Sequence, residues 1–312
     1  MFIEVHTDFI FTSLMEVLKD GVDACTSMPV GIENSALGEY FMQSLFLRMT
    51  GAQEQKLKCI CWVMATNDYQ YRYELLNVKQ YGECSEYKDK RDIYRDMLTI
   101  IRRMDKAFKP LSILDDVKLT EVKMSELETS WKLSVDKKRQ KQEKDIINKV
   151  TSRGQEMSEE AKARLHENLF GKAYPQEDLD SLISRERKAL FLKDVVARLV
   201  ELVGHSPLTM WNQREFLFFK DHWQDILNVK QLPLTDKELL GSGLQDDYNK
   251  IVFEHRNRTA HNTVSYLKDV PTLDVLADTY YVYRNYFFRF AILLVIDKVF
   301  VEIFRKYREA YV

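Results

Sequence analysis

Apolar residues recur three or four positions apart along most of the chain, and this spacing predicts long helices. In the first third, the pattern predicts helices over residues 34–49, 53–78 and 87–108. Gly51 and Gly82 lie between these segments and are expected to separate them. The tyrosines and tryptophan of the second segment are interpreted as core residues rather than as a surface for stacking bases.

The N-terminus and the middle of the chain give less regular patterns. Residues 2–6 alternate between apolar and polar side chains, which is typical of a strand, and helical spacing follows over residues 9–18. Residues 111–131 predict a helix or a helix pair that ends near Trp131. Residues 132–153 then predict a separate, strongly charged linker helix.

The second half of the chain has a clearer helical pattern with short connections. Gln176–Val203 predicts one helix, and Ser206 followed by Pro207 predicts the start of the next, which runs to about Val229. Thr235–Glu238 has the composition of a capping box at a helix start. Further helices are predicted over residues 244–267 and 272–307, so this half is expected to be a helical bundle.

The expected fold class is therefore all-α, with two domains. A boundary is placed within residues 150–172. Residues 1–150 are interpreted as a mostly helical accessory or regulatory region, and residues 172–312 as a helical-bundle domain. The low content of 10 Gly and 6 Pro in 312 residues agrees with long helices and short connections.

The formal net charge of −2 predicts no electrostatic footprint for nucleic acid over the whole protein. Residues 132–153 are the local exception, with eight basic and three acidic side chains. This segment is interpreted either as an RNA-contacting arm or as a solvated linker helix, and the linker is favoured.

Several function classes are disfavoured by what the sequence lacks. The four cysteines include no pair of CxxC units, so a structural zinc site is not expected. A reduced, cytoplasmic setting is expected instead. The most apolar run, residues 287–296, is too short and too charged for a membrane span, and the N-terminus does not resemble a signal peptide. No Gly-rich phosphate loop, GxSxG elbow or HExxH motif occurs, and no cofactor is expected.

The candidate chemistry lies in a polar cluster within the predicted helix 244–267. Glu254, Asn257, Arg258 and His261 fall at offsets of 0, 3, 4 and 7, so a helix places them on one face. Histidine titrates near neutral pH and suits general acid–base catalysis. The planar guanidinium of arginine matches phosphate oxygens. These residue types together indicate a site for cleaving or binding a phosphodiester.

Arg256 and His261, with Asn257 directly after the arginine, form an Arg-x4-His motif. This motif resembles the signature of HEPN domains, the helical ribonuclease-type domains of prokaryotic toxin–antitoxin, abortive-infection and CRISPR-associated systems. The resemblance covers roughly residues 172–312. It implies a metal-independent endoribonuclease that forms a homodimer with a composite site at the interface. It further implies attack by the 2′-hydroxyl of RNA, leaving a 2′,3′-cyclic phosphate.

The resemblance assigns roles to the cluster. Arg256, His261 and Asn257 are the expected catalytic residues, and Arg258 and Glu254 the expected substrate-binding residues, with Glu254 also holding one of the arginines. The expected partners are RNA, either tRNA or mRNA, a second copy of the chain across the face that carries the motif, and an antitoxin or trigger-sensing partner. No metal is expected.

Alternatives remain for the same residues. Arg256 and Arg258 are also expected to form ion pairs with Glu254 and Asp247 if the cluster is only structural. In that case the protein is a non-catalytic helical module that binds RNA or another protein. A metal site formed by His255 and His261 with Glu254 is disfavoured, because their spacing is poor and no third strong ligand is near. A second Arg/His spacing, Arg198 to His205, is interpreted as coincidental.

Overall fold

The computed structural model describes residues 2–28, 35–79, 81–153, 156–261 and 285–311. Every long regular element in these ranges is a helix, and no strand occurs among them. The predicted all-α fold class is therefore confirmed.

The helices are named here in chain order. They are α1 (Phe2–Phe11), α2 (Leu14–Cys25), α3 (Ser35–Asn67), α4 (Tyr69–Asn77), α5 (Tyr87–Met104), α6 (Glu121–Thr151), α7 (Glu159–Phe170), α8 (Gln176–Val203), α9 (Pro207–Trp211), α10 (Gln213–Ile226), α11 (Ser242–Asp247), a π-helical segment (Tyr248–Phe253), α12 (Glu254–His261) and α13 (Tyr286–Tyr311). Short 3-10 turns lie at Pro110–Leu114 and Val229–Gln231.

The chain forms two compact units. The first contains Met1–Ile113 together with Phe191–Val312, and the second contains Leu114–Leu190. This division differs from the predicted one after about residue 150. The physical reason is that α13, near the C-terminus, packs against α3 and α5 of the N-terminal third, so the two ends of the sequence share one core. The regulatory role predicted for residues 1–150 stays a prediction.

The core of the first unit is built around α13. Every residue from Tyr286 to Asp297 is buried, and α13 also contacts α2 and α10. A helix that is apolar on all sides is stable in water only when other elements surround it. Among the described residues, no helix has the length and apolar character needed to cross a membrane.

A buried ion pair joins three parts of this core. The Lys56 Nζ of α3 donates to Asp297 Oδ1 of α13 at 2.5 Å and to the Thr12 carbonyl at 2.6 Å. Asp297 Oδ2 accepts from the Leu14 backbone N–H at 3.0 Å, at the start of α2. The Lys56 and Asp297 side chains are 2% and 3% exposed, so each charge depends on the other groups of this network.

The second unit is made of α6, α7 and the first half of α8. Its small core contains Trp131 and Val135 of α6 and Leu179 of α8, and Leu182 and Ile183 pack against them. The buried Arg139 guanidinium donates to the carbonyls at residues 172 and 173, at 2.6 and 3.1 Å, just after α7 ends. An apolar cluster and a buried hydrogen-bonding side chain therefore both contribute to holding this unit together.

The predicted strand at the N-terminus is wrong, because Phe2–Phe11 is helical. Alternation over five residues is a weak signal, and packing of this helix against α3 outweighs it. The predicted break at Gly51 is also wrong, since α3 continues through it to Asn67. A glycine inside a helix costs only about 1 kcal/mol, which the packing of α3 against α1, α2 and α13 overcomes.

Several further boundaries differ from the sequence prediction, among them a break at Asp68 within the predicted helix 53–78. One helix, α6, runs through Trp131, so the predicted separate linker helix is its continuation. The helix predicted from Pro207 is interrupted at Asn212, between α9 and α10. At Thr235 the hydroxyl accepts from the Glu238 N–H at 3.1 Å, as in a capping box, but these residues close a turn and begin no helix. The α8 prediction, Gln176–Val203, agrees with the structure.

The aromatic side chains of segment 53–78 are mostly not core residues, so that interpretation is wrong for three of the four. Tyr71 is buried, whereas Trp62, Tyr69 and Tyr73 are exposed, because they lie on the faces of α3 and α4 that point to solvent.

The buried ion pair leads to a stability prediction. Lys56→Met removes the ammonium and leaves Asp297 buried without its cation, so the free energy of unfolding should fall by about 3–5 kcal/mol, as measured by urea denaturation. The control is Lys58→Met, whose partner Glu83 is well exposed, and it should change stability by less than about 1 kcal/mol. Equal losses for the two variants would contradict this account.

Candidate functional site

The motif helix α12 follows directly on a π-helical segment. Tyr248–Phe253 is wound more loosely than the α-helical turns on either side of it. The segment is anchored at two points. Tyr248 Oη donates to the Ser85 carbonyl at 2.7 Å, and the buried Arg289 Nε of α13 donates to the Ile251 carbonyl at 2.9 Å. Single π-helical turns occur frequently at functional sites. This one determines the direction in which the side chains of α12 point around the helix axis.

Arg256 is directed towards α3 and is held there. Its Nη2 donates to Glu54 Oε2 at 3.0 Å, and its Nη1 donates to Asn257 Oδ1 at 3.1 Å. The Arg256 side chain is 19% exposed and the Glu54 side chain 10% exposed. The guanidinium therefore has a defined orientation, and the side chain as a whole is partly exposed to solvent.

A second cation lies behind this pair. Lys90 of α5 is buried, and its Nζ donates to the Cys84 carbonyl at 2.5 Å. The carbonyl belongs to a residue with a left-handed backbone, since the φ of Cys84 is 61°. Burial lowers the pKa of Lys90 to about 8, and the nearby Glu54 carboxylate acts in the opposite direction. The Glu54 charge thus acts on both Arg256 and Lys90.

His255 has a structural environment that differs from that of its neighbours on α12. Its Nε2 lies 3.1 Å from Tyr286 Oη, which in turn donates to Glu39 Oε1 at 3.2 Å. Its ring packs against Phe46, with the ring centroids 5.2 Å apart. Burial first, and then the Arg289 and Arg258 charges, lower the pKa of His255 to about 3. His255 is therefore neutral at physiological pH and serves as a packing and hydrogen-bonding residue.

The structure brings together only some of the predicted site residues. Arg256 and Asn257 are in direct contact, whereas Glu254 and Arg258 are exposed. The prediction that Glu254 pairs with Arg256 is wrong, because Glu54 holds Arg256. The reason is that Arg256 lies on the side of α12 that packs against α3.

Part of the predicted cluster lies outside the described residues. The backbone of His261 forms the last residue of α12, but its side chain is outside the described part of the structure. The predicted continuation of the helix to residue 267 and the predicted start of the last helix at 272 are outside it as well.

Glu54 and Lys90 were not singled out by the sequence reasoning. A signal for Glu54 existed in α3, where Leu57, Ile60 and Met64 mark the buried face. Stepping back by three or four residues from Leu57 and Ile60 places Glu54 and Lys56 on that same face. Charged side chains at apolar positions of a long helix indicate buried ion pairs, although periodicity does not identify their partners.

Neither metal-binding geometry nor similarity to known proteins identifies the chemistry of the site. Among the described residues, no group of three or more His, Cys, Asp or Glu side chains is arranged to hold a metal ion. Comparisons of the chain with protein-family models, with curated proteins and with solved structures found no match. The geometry of the site and its Arg-x4-His motif are therefore the features that bear on function.

The neutral state of His255 predicts a pH dependence of stability. The unfolded chain protonates His255 below about pH 6.5, while the folded protein resists protonation down to about pH 3, so acid favours unfolding between these values. From pH 7 to pH 5, we expect the wild type to lose about 1–2 kcal/mol more unfolding free energy than His255→Gln. Urea denaturation at the two pH values measures this difference.

The control for this prediction is His205→Gln, because His205 is an exposed histidine of the same unit. It should keep the wild-type pH dependence. If His255→Gln retains the wild-type acid sensitivity, His255 titrates normally in the folded protein and the assignment of a neutral, buried imidazole is wrong.

Proposed function

We propose that the protein is a metal-independent endoribonuclease of the HEPN type. In this reaction, the 2′-hydroxyl of a ribose attacks the adjacent phosphate, the bond to the next 5′-oxygen breaks, and a 2′,3′-cyclic phosphate and a 5′-hydroxyl form. The 2′-hydroxyl loses a proton and the leaving 5′-oxygen gains one, and His261 carries out this proton transfer. Arg256 stabilises the charge on the phosphorane, and Asn257 orients the arginine. Arg258 and Glu254 contact the RNA beside the reacting phosphate.

The observation that carries the proposal is the restrained guanidinium of Arg256. The side chain is oriented from two directions, by Glu54 and by Asn257, five residues before a histidine and directly after a π-helical segment. A donor that is already in place before the charge develops stabilises a transition state better than a mobile one, because it requires no reorganisation. The Arg256 side chain is also 19% exposed, so it is not fully withdrawn from solvent.

A homodimer is part of the proposal. Arg256 and His261 are five residues apart on one helix, which is about 140° of rotation, so one copy of α12 does not readily direct both side chains to the same phosphate. Two copies related by a two-fold axis would supply an arginine from one chain and a histidine from the other. The exposed side chains of Glu254, Arg258 and Ala260 would lie at that interface.

The biological setting rests on the motif resemblance. HEPN ribonucleases of this type act as toxins or in anti-phage defence, and the proposed substrate is tRNA or mRNA. An antitoxin or a trigger-sensing partner would then control the activity. The N-terminal third provides Glu54 to the site itself, so a regulator that binds α3 near Glu54 would act on the helix that holds Arg256.

A second candidate function is a non-catalytic module that binds RNA or protein. The observation in its favour is also Arg256, because an arginine that is mostly buried and paired with Glu54 has a sufficient role in holding α12 to α3. Under this alternative, the loss of the pair destabilises the fold and no reaction depends on His261.

The first test of catalysis is His261→Ala. Purified wild-type protein incubated with total RNA and with tRNA in EDTA should release fragments with 2′,3′-cyclic phosphate and 5′-hydroxyl ends. His261→Ala should reduce cleavage by at least about 100-fold, because general acid–base catalysis contributes that much. The matched control is His205→Ala, which removes an exposed histidine elsewhere and should cleave normally. Undiminished cleavage by His261→Ala would exclude this site.

Arg256→Lys separates the two candidate functions. Lysine keeps the positive charge beside Glu54, so the free energy of unfolding should change by no more than about 1–2 kcal/mol. It lacks the planar fork that contacts two oxygens, so cleavage should fall by about 100-fold or more. Arg198→Lys, at an arginine paired with Asp194, is the control. Normal cleavage by a folded Arg256→Lys protein would favour the structural role.

A further inference from the structure

In the second unit, helix α6 has one packed face and one solvent face. Trp131, Val135 and Arg139 are buried and mark the packed face. They recur every four residues, so the side chains about 180° away around the helix point to solvent. The segment from residue 132 to 153 carries five more basic than acidic side chains, and their distribution around α6 decides what this surface can bind.

Two of the three acidic side chains of this segment lie towards the rest of the unit, whereas Asp145 is exposed. Asp136 accepts a hydrogen bond from Tyr174 Oη at 3.1 Å, and Glu143 Oε1 lies 3.1 Å from His166 Nδ1 of α7. These contacts place two of the three carboxylates of the segment beside α7 and the loop that follows it. Asp136 also lies 3.9 Å from the buried Arg139, so neither of these two carboxylates is paired with an exposed lysine of α6.

Three lysines form a row on the opposite face. Lys137, Lys141 and Lys144 follow at intervals of four and three residues, and all three are exposed. None of them forms an ion pair with any residue in the described ranges, whereas the neighbouring Lys138 lies 3.5 Å from Asp178. We call the row of Lys137, Lys141 and Lys144 the lysine face.

The surroundings of the lysine face are those of a phosphate-binding surface rather than a protein interface. Most exposed residues beside it are polar and uncharged, namely Ser130, Ser134, Gln140 and Asn148, and one carboxylate, Asp145, follows Lys141 by four residues. Protein interfaces usually have apolar anchors at their centre, and only Leu133 offers one here. Contacts to the nucleic-acid backbone come from lysine together with hydroxyl and amide side chains, which is the combination present.

We propose that the lysine face binds the phosphate backbone of RNA, independently of base sequence. The second unit would then supply an RNA-binding surface, and the first unit the candidate catalytic site on α12. The ligand class follows from the proposed function, but binding at the lysine face does not require cleavage. A strand held at three phosphates by exposed lysines should bind weakly and with a strong dependence on salt.

The test uses full-length protein in the His261→Ala background, so that cleavage does not affect the measurement. A fluorescent single-stranded RNA is titrated at several salt concentrations. Replacing all three lysines by glutamine should weaken binding by about tenfold or more at low salt. The slope of log affinity against log salt should become shallower by about 2, since each lost phosphate contact contributes about 0.7 for a single strand. The corresponding triple arginine variant should bind like the parent protein.

The control variant replaces Lys106, Lys109 and Lys237 by glutamine, which are exposed lysines of the first unit and give the same change in net charge. It should keep the parent affinity and slope. An equal loss in the control, an unchanged affinity in the triple glutamine variant, or binding of anionic lipid vesicles without binding of RNA would overturn the proposal.

The two proposals fail separately. If wild-type protein cleaves RNA and the triple glutamine variant binds RNA as tightly as its parent, the lysine-face proposal is wrong and the nuclease proposal stands. If RNA binding depends on the lysine face but wild-type protein leaves the RNA intact, the lysine-face proposal stands and the nuclease proposal does not.

Discussion

The first unit depends on the buried pair between Lys56 and Asp297. These two side chains connect α3 to α13. They also form hydrogen bonds with the Thr12 carbonyl and the Leu14 N–H, between α1 and α2. A buried charge without its partner is strongly unfavourable, so the three segments must meet in one arrangement for the pair to form. The pair thereby favours the arrangement that the apolar packing of α13 also requires, and it joins the N-terminal third of the chain to its end.

The candidate site is built on the same helix. Glu54 lies two residues before Lys56 on α3, and Gln53 Nε2 donates to the Leu293 carbonyl of α13 at 3.0 Å. The carboxylate that orients Arg256 therefore belongs to a segment that is fixed by contacts with the central helix. This arrangement gives the guanidinium a rigid support, which a catalytic arginine and a purely structural one both require. For this reason stability and cleavage must be measured together on variants of the site.

The local spacing of apolar residues was sufficient to predict the bounds of some helices and insufficient for others. The helix Gln176–Val203 was predicted with its observed bounds, because its apolar spacing is long and regular and because Pro207 begins a new element. At Gly51 and Trp131 the local signals indicated helix ends, yet α3 and α6 continue through both positions. A single glycine changes the helix free energy by about 1 kcal/mol, so contacts made elsewhere by the whole helix determine the result.

For the site, residue type and spacing alone identified a helix with Arg256 and Asn257 near its middle, since these properties depend on neighbours within one or two turns. The identity of the arginine's partner depends on Glu54, which is 202 residues away along the chain and meets Arg256 only because α3 and α12 pack together. The position of Lys90 near Glu54 and the burial of His255 likewise depend on packing between segments that are distant in sequence. Helical periodicity specifies which face of a helix is turned inward, whereas the groups that face it are specified by packing between distant segments.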